Sequence, residues 1–306
     1  MNRLCSDFIP GKGRVCAIGI FDGVHLGHQI LLKEALRISK SHDLLPSVIT
    51  FHPHPASVVA GISVPLIMPI DMRIRHIKAM GIEDVCVVRF TKAFAGKTAG
   101  EFAEGLSSLS VRHIVVGEDF RCGRDNISGA GLKTAFDRRS IGVSFVKNVC
   151  LGDERISSQR IRQALRDGNM ESAAEMLGRF PIIYGTVKKG RRIGRKLGFP
   201  TANLDAENLG VFRKGSYIAK AIVNSRPFWG LLFVGKRPTF NGRKLKAEIY
   251  LLNFKDMLYN SPVEIEVVNF IRDEVKFSSI EDLKNSIKRD EHILKEYIST
   301  RQGAWF

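Results

Sequence analysis

Along the first half of the chain, short apolar runs at residues 15–21, 46–51, 84–90, 113–117 and 143–149 alternate with stretches at 29–39, 73–80 and 100–109 of helical spacing. Thr98 with Glu101 three residues on marks the start of the last of these helices as a capping box. Strand and helix in alternation predict a doubly wound α/β domain with a parallel sheet. After residue 184 the pattern changes. Strand-like runs at 184–189, 216–223, 228–234, 244–252 and 263–271 follow one another without helices between them, which predicts an antiparallel sheet or small barrel. A final helix is predicted behind Ser278 and Glu281, a second capping box, with Ile280, Leu283, Ile287, Leu294 and Ile298 on one face. The boundary is placed after the helical stretch 157–177, giving modules 1–180 and 181–306.

A length of 306 residues suits two modules, and an apolar fraction of 44% with 25% charged residues is that of a folded globular protein. In the first third, the longest stretch free of Asp, Glu, Lys and Arg, 52–70, contains Pro53, Pro55, Pro65 and Pro69, so it is no bilayer helix. Residues 1–14 lack the continuous apolar core of a secretory signal; a cytoplasmic location without a membrane partner is expected. The five cysteines, odd in number and without a C-x-x-C pair, are expected to be reduced thiols, mostly core filler.

The net charge of +16 suits nucleic acid or nucleoside triphosphates equally. Its distribution is more informative: Lys188, Lys189, Arg191, Arg192, Arg195 and Lys196 fall within 181–204, a segment without an acid.

The first strand runs into Gly19-Ile20-Phe21-Asp22-Gly23-Val24-His25-Leu26-Gly27-His28, where a helix begins. Ligands of open α/β sheets bind beyond the carboxyl ends of strands, where glycines admit phosphate and a helix N-terminus offers free N–H donors. His25 and His28, three apart, would face one anion together. One histidine in a glycine-rich turn is usually incidental; two beside three glycines at this junction are not.

The string resembles the H-x-G-H nucleotidyltransferases, and in full it is similar to the bacterial bifunctional riboflavin kinase/FAD synthetase family. Further matches follow in order: Thr50-Phe51-His52-Pro53-His54-Pro55, Val116-Gly117-Glu118-Asp119-Phe120-Arg121-Cys122-Gly123, and Ile156-Ser157-Ser158-Gln159-Arg160-Ile161-Arg162. The resemblance implies a nucleotidyltransferase domain in which Gly19, Phe21, Gly23 and Gly27 shape the ATP site. His25 and His28 would hold the triphosphate and stabilise charge as the FMN phosphate attacks the α-phosphorus. Ser157, Ser158 and Arg162 would close on the phosphates, although for the serines plain N-capping is the blander account. Asp119 would shape the nucleotide and flavin pocket, with an ordinary turn carboxylate as the competing reading. Two positions depart from the family: Gln159 stands where Thr is usual, and Cys122 where Phe is usual.

In the second half, Gly185-Thr186-Val187, the basic run and Gly198-Phe199-Pro200-Thr201-Ala202-Asn203 form a cation-rich loop ending in short polar side chains. Hard oxygen ligands from Thr201 and Asn203 suit Mg²⁺, which takes few ligands from protein and the rest from phosphate and water. A solvated basic loop would explain the charges alone; the F-P-T-A-N string, characteristic of riboflavin kinases, is what that account leaves over. The resemblance then implies that Gly185, Lys189, Gly198 and Pro200 line an ATP site. In 244–252 the alternation sets Lys246, Glu248 and Tyr250 opposite the apolar face of Leu245, Ala247, Ile249 and Leu251. On strand pattern alone Glu248 is a surface carboxylate. By family position it is the group that accepts the proton of the riboflavin 5′-hydroxyl. Arg272, in Arg272-Asp273-Glu274-Val275-Lys276-Phe277, would reach the flavin phosphate. Phe233 replaces the usual Asn of N-x-G-x-R-P-T-F, continued here as Gly235-Lys236-Arg237-Pro238-Thr239-Phe240, and Asn260 replaces a usual Gly.

Two decoys fail. Gly96-Lys97-Thr98 lacks the earlier glycine of a P-loop, Thr91 standing in its place, and Gly129-Ala130-Gly131 is followed by Thr134 where a dinucleotide fingerprint needs its third glycine. The expected substrates are therefore riboflavin, FMN and ATP with Mg²⁺, and FAD is a product, not a bound redox cofactor. The alternatives are retention of one activity only, or a basic nucleic-acid-binding protein on a nucleotidyltransferase scaffold; the basic cluster abutting the Mg²⁺ loop speaks against the second. The oligomeric state is left open.

Overall fold

The computed structural model describes residue 8 and residues 12–188, 194, 198–223, 226–236, 245–254, 256 and 259–300. Lys189, Arg191, Arg192, Arg195, Lys196 and the 237–240 string lie outside the described residues. The chain forms two compact units, Met1–Val64 with Ile70–Ser157, and Pro65–Pro69 with Ser158–Phe306. The division thus falls at Ser157.

The first unit contains β1 (Arg14–Ile18), α1 (Leu26–His42), β2 (Leu45–His52), α2 (Pro55–Val59), α3 (Ile70–Ala79), β3 (Asp84–Arg89), α4 (Lys92–Ala95), α5 (Ala99–Ser108), β4 (Val111–Gly117), α6 (Gly129–Asp137) and β5 (Gly142–Val146). A two-stranded ribbon, β6 (Cys150–Leu151) and β7 (Glu154–Arg155), follows. The five main strands form a parallel sheet in the order β3-β2-β1-β4-β5. β1 is central and fully buried, and the strand order reverses between it and β4, which opens a crevice at their carboxyl ends. Ile18, Ile49, Val88, Val116, Phe102 and Phe136 share one core cluster. Arg14 at the start of β1 is buried as well. It is neutralised by Asp84 at 2.8 Å, whose carboxylate also accepts from Ser47 at 2.7 Å. The capping box is present: the Thr98 hydroxyl accepts from the Glu101 N–H, and Glu101 accepts from the Thr98 N–H. Cys16, Cys122 and Cys150 are free thiols, but Cys86 is disulfide-bonded, which corrects the expectation of reduced cysteines throughout.

The second unit begins with α7 (Ser158–Asp167) and α8 (Met170–Leu177), continues through β8 (Ile182–Lys188), β9 (Thr201–Ala206), β10 (Gly215–Val223), β11 (Arg226–Lys236), β12 (Leu245–Leu251) and β13 (Pro262–Asp273), and ends in α9 (Ile280–Thr300). The strands close into an antiparallel barrel in the order β10-β11-β12-β9-β8-β13. Closure removes sheet edges and buries an interior that includes Leu232, Val234, Ala247, Ile249, Ile265 and Val267. α9 packs outside the barrel through Leu294, Ile287 and Ile298 against Ile218, Leu231 and Val268. Its cap is one residue later than expected: the Ser279 hydroxyl accepts from the Asp282 N–H at 3.0 Å and donates to the Asp282 carboxylate at 2.7 Å. The stretch 65–69 is tied into this unit by Asn208, whose Nδ2 donates to Ile67 O at 3.0 Å, and by Arg162, whose Nε donates to Pro65 O at 3.1 Å.

Candidate functional site

In the first unit the glycine-rich string connects β1 to α1. Phe21 (φ 54°), Gly23 (φ 85°) and Val24 (φ 43°) all adopt left-handed backbone. For Phe and Val that conformation costs about 1–2 kcal/mol each, so it persists only where surroundings enforce it. They do so: Phe21 and Val24 are buried, and Val24 N–H donates back to Phe21 O at 3.1 Å. The Ile20 carbonyl accepts from Thr50 Oγ1 at 2.9 Å and from Arg73 Nη1 at 2.7 Å.

This turn delivers two imidazoles to one place. His25 is the N-cap of α1, its Nδ1 accepting the His28 N–H at 3.3 Å, which assigns the proton of neutral His25 to Nε2. The His25 and His28 rings stack at 3.6 Å between centroids and 17° between planes, with Phe21 against His28 at 5.1 Å. Gly27 gives the stack room, since a β-carbon there would lie 3.1 Å from His25 Cε1, closer than ordinary van der Waals contact. The first turn of α1 has no acid, so the positive end of the helix dipole is uncompensated. Among the described residues the buried Nδ1 of His28 has no hydrogen-bond partner. Burial, followed by the charges of His25, Arg73 and Arg155, holds His28 well below the usual histidine range. The arrangement sets two imidazoles at the acid-free N-terminus of a helix.

Asp119 lies just past β4 and accepts from Arg155 Nη1 at 2.5 Å. Arg155 and Arg73 were not among the residues expected from sequence. Arg155 directly precedes the Ile156-Ser157-Ser158 string, and Arg73 sits four residues before buried Ile77 on α3, a cation where the helix pattern calls for an apolar residue. Cys122 is core, its thiol pushed up to about 12 by burial, so this departure fills space and offers no nucleophile. Ser157 belongs to the first unit; Ser158, Gln159 and Arg162 open α7 in the second.

In the second unit Thr201 and Asn203 are not loop residues but the first turn of side chains on β9. Asn203 pairs with Glu248 on β12, and Thr201 Oγ1 donates to Glu248 Oε2 at 3.2 Å. One line of directly paired residues crosses all six strands: Lys188, Asn203, Glu248, Phe233, Ser216 and Arg272. Directly opposed residues share a face, so the expected carboxylate, amide and guanidinium, with Phe233, stand on the outer surface of the barrel. The alternation of β12 is as the sequence pattern required, with Ala247, Ile249 and Leu251 buried and Glu248 half-buried between them. Gly185 allows β8 and β9 to approach closely, a β-carbon there lying 2.9 Å from Asp205 O, while Gly198 (φ 86°) turns the chain into Phe199, Pro200 and β9. Arg272 is already engaged: Nε and Nη2 donate to the two oxygens of buried Asp290 at 2.9 and 2.8 Å, pinning α9 to β13. Thr201 hydroxyl, Asn203 amide oxygen and Glu248 carboxylate are hard donors of the kind Mg²⁺ takes. Among the described residues no group of three or more His, Cys, Asp or Glu is placed to hold a metal ion.

Residues 10–160 match the family model described as FAD synthetase, and residues 177–298 match that described as riboflavin kinase. The chain is 36% identical to a bifunctional riboflavin kinase/FMN adenylyltransferase of Bacillus subtilis (strain 168), over 93% of this chain and 92% of that protein. It is 33% identical to the protein of the same description from Escherichia coli (strain K12), over 96% of each. A crystal structure described as a macrolide-efflux protein from Streptococcus pneumoniae is similar with a TM-score of 0.83 and 31% identity, covering 95% of this chain and 96% of that one. Among the described residues no helix is long and apolar enough to cross a membrane.

Proposed function

Because this chain belongs to the bifunctional riboflavin kinase/FMN adenylyltransferase family, we propose that it carries out both reactions in succession, phosphorylating riboflavin with ATP and adenylylating the FMN so formed. Matches to both family models speak against the loss of either activity.

In the adenylyl transfer an oxygen of the FMN phosphate forms a bond to the ATP α-phosphorus, the bond to the bridging α,β-oxygen breaks, and pyrophosphate leaves. The nucleophile is already ionised, so no base is needed; the task is to hold the triphosphate and to stabilise the charge on the leaving group. The observation that carries this assignment is the stacked His25–His28 pair at the acid-free N-terminus of α1, with no hydrogen-bond partner for the buried Nδ1 of His28 among the described residues. Asp119 and Arg155 border the same strand ends, and Ser157, Ser158 and Arg162 are assigned to the phosphates by family position.

In the kinase reaction the riboflavin 5′-hydroxyl oxygen forms a bond to the ATP γ-phosphorus and ADP leaves. Glu248 accepts the hydroxyl proton, its orientation fixed by the hydrogen bond from Thr201. Thr201 and Asn203 would hold Mg²⁺, which supplies neutralisation of the phosphate charge when bound. By family position Gly185, Gly198 and Pro200 are assigned to the ATP, and Arg272 to the flavin phosphate.

The test is to incubate the protein with riboflavin, ATP and Mg²⁺ and separate riboflavin, FMN and FAD by chromatography. Wild type should give FMN and then FAD, His28→Ala should stop at FMN, and Glu248→Ala should convert only added FMN. Absence of both products from wild type would overturn the assignment.

A further inference from the structure

The turn between β1 and α1 is held by a buried cation from α3. Arg73, on α3, is 1% exposed. Its Nη1 donates to Ile20 O at 2.7 Å and lies 3.4 Å from Thr50 Oγ1, while its Nη2 lies 3.9 Å from the carboxylate of Asp22, also 1% exposed. Ile20 and Asp22 flank Phe21, the first of the three left-handed residues that redirect the chain toward His25. A guanidinium is a planar fork, and here it spans both neighbours of the strained residue.

Resting on the adenylyl-transfer reading above, we propose that Arg73 is the positioning residue of the adenylyltransferase, a buried cation that locks the Ile20–Val24 turn and thereby sets the His25–His28 stack against the triphosphate. Three observations meet here. The Ile20 carbonyl accepts twice, from Thr50 and from Arg73, so both β2 and α3 fix its direction. Asp22 is buried too, and the guanidinium places an opposite charge 3.9 Å from its carboxylate. The loop geometry is costly for Phe21 and Val24 and relaxes unless it is enforced. A burial-driven preference would have put an apolar side chain at this position of α3.

Arg73 also acts on His28 through its field. With His25 and Arg155, it adds to the burial that keeps the His28 imidazole neutral. This gives a readout that a purely structural role would not move.

The experiment compares Arg73→Met, Arg73→Lys and Thr50→Val with wild type in the full-length protein, assaying FAD formation from FMN and FMN formation from riboflavin in parallel. The second assay reports the other reaction in the same molecule, and FAD formation by wild type tests the underlying reading separately. Arg73→Met should lower kcat for FAD formation about a hundredfold, the scale of a small misplacement of catalytic groups, with FMN formation unchanged. In the same variant the His28 imidazole, followed by NMR, should titrate at higher pH than in wild type. Arg73→Lys keeps the charge but not the fork, so kcat should fall less and the His28 titration should stay near its wild-type position. Thr50→Val should lower kcat in the same direction, having removed the second donor to Ile20 O. If Arg73→Met does not fold, Arg73→Lys and Thr50→Val decide the matter. A wild-type kcat in both folded variants would overturn the proposal, as would an unshifted His28 titration in a folded Arg73→Met.

Discussion

The β-carbon that glycine lacks at position 27 would stand 3.1 Å from Cε1 and 3.2 Å from Nδ1 of His25, so any larger residue there would make the His25 ring give way by a few tenths of an ångström. Gly27 has no left-handed backbone, so its contact with the His25 ring is what a substitution there changes. Gly27→Ala should therefore push the His25 ring off the His28 ring and off the His28 N–H. The expected result is a loss of FAD formation on the order of a hundredfold, with kcat affected more than KM, while riboflavin phosphorylation continues at the wild-type rate. Unchanged FAD formation would mean that the stack has no catalytic part.

The depressed titration of His28 has a stability consequence. Its folded pKa lies below the ordinary value of 6.5, chiefly through burial, so below that pH the unfolded chain takes up a proton that the folded protein lacks. Stability then rises with pH through this window and falls on acidification, until the folded pKa is passed. His113 is depressed as well, also mainly by burial, and adds to the slope in the same sense. Thermal unfolding followed from neutral pH down to about pH 5 should show Tm falling in wild type and falling less in His28→Gln. Saturating ATP should lessen the fall too, because a bound polyanion favours the imidazolium. An acid slope identical in His28→Gln and wild type would remove His28 from the account.

What the sequence disclosed and what it concealed divide along physical lines. The histidine pair was legible because i and i+3 share a face wherever a helix begins, and the glycines mark where it begins. The outward face of Glu248 was legible from strand alternation. Strand β9 was not: Thr-Ala-Asn-Leu-Asp-Ala has a strand's alternation but few of its residue types, and its membership of the barrel rests on pairing with β12, more than forty residues away. The cap of α9 slipped by one because Ser278 and Ser279 are equally able, and Asp282, not Glu281, takes up the partner hydroxyls. Arg73 was concealed for a deeper reason. One cation among several in a helix, beside Arg75 and Lys78, reads as solvent-facing, and the carbonyl and carboxylate that meet it come from another part of the chain.

Glu248 and Thr201 give the second half of the chain its own separable test. Thr201 Oγ1 can still find an acceptor in Glu248→Gln, so the pair of β9 and β12 should survive while the proton acceptor is lost. Riboflavin phosphorylation should drop by about 10²–10⁴-fold, the usual contribution of a general base, and added FMN should still be turned into FAD. Phosphorylation at the wild-type rate in Glu248→Gln would leave this carboxylate without a catalytic role.

The terminal helix is held to the barrel by two unlike contacts whose energies can be told apart. Leu294 is fully buried against Ile218, Leu231 and Val268, and Leu294→Ala should cost about 3 kcal/mol through lost burial and the cavity left behind. Arg272 and Asp290 form a two-pronged ion pair in which Asp290 is almost completely buried. Asp290→Asn leaves shape and one acceptor but removes the charge facing the guanidinium, and should cost on the order of 3 kcal/mol, as breaking a buried pair usually does. Salt separates the two: added NaCl should narrow the gap between Asp290→Asn and wild type more than that between Leu294→Ala and wild type, because screening acts on charge and not on apolar area. Denaturant unfolding, read by the fluorescence of Trp229 beside Tyr297 of this helix, measures both. If the helix is instead held by its apolar face alone, Asp290→Asn will unfold at the wild-type denaturant concentration while Leu294→Ala still shifts to a lower one.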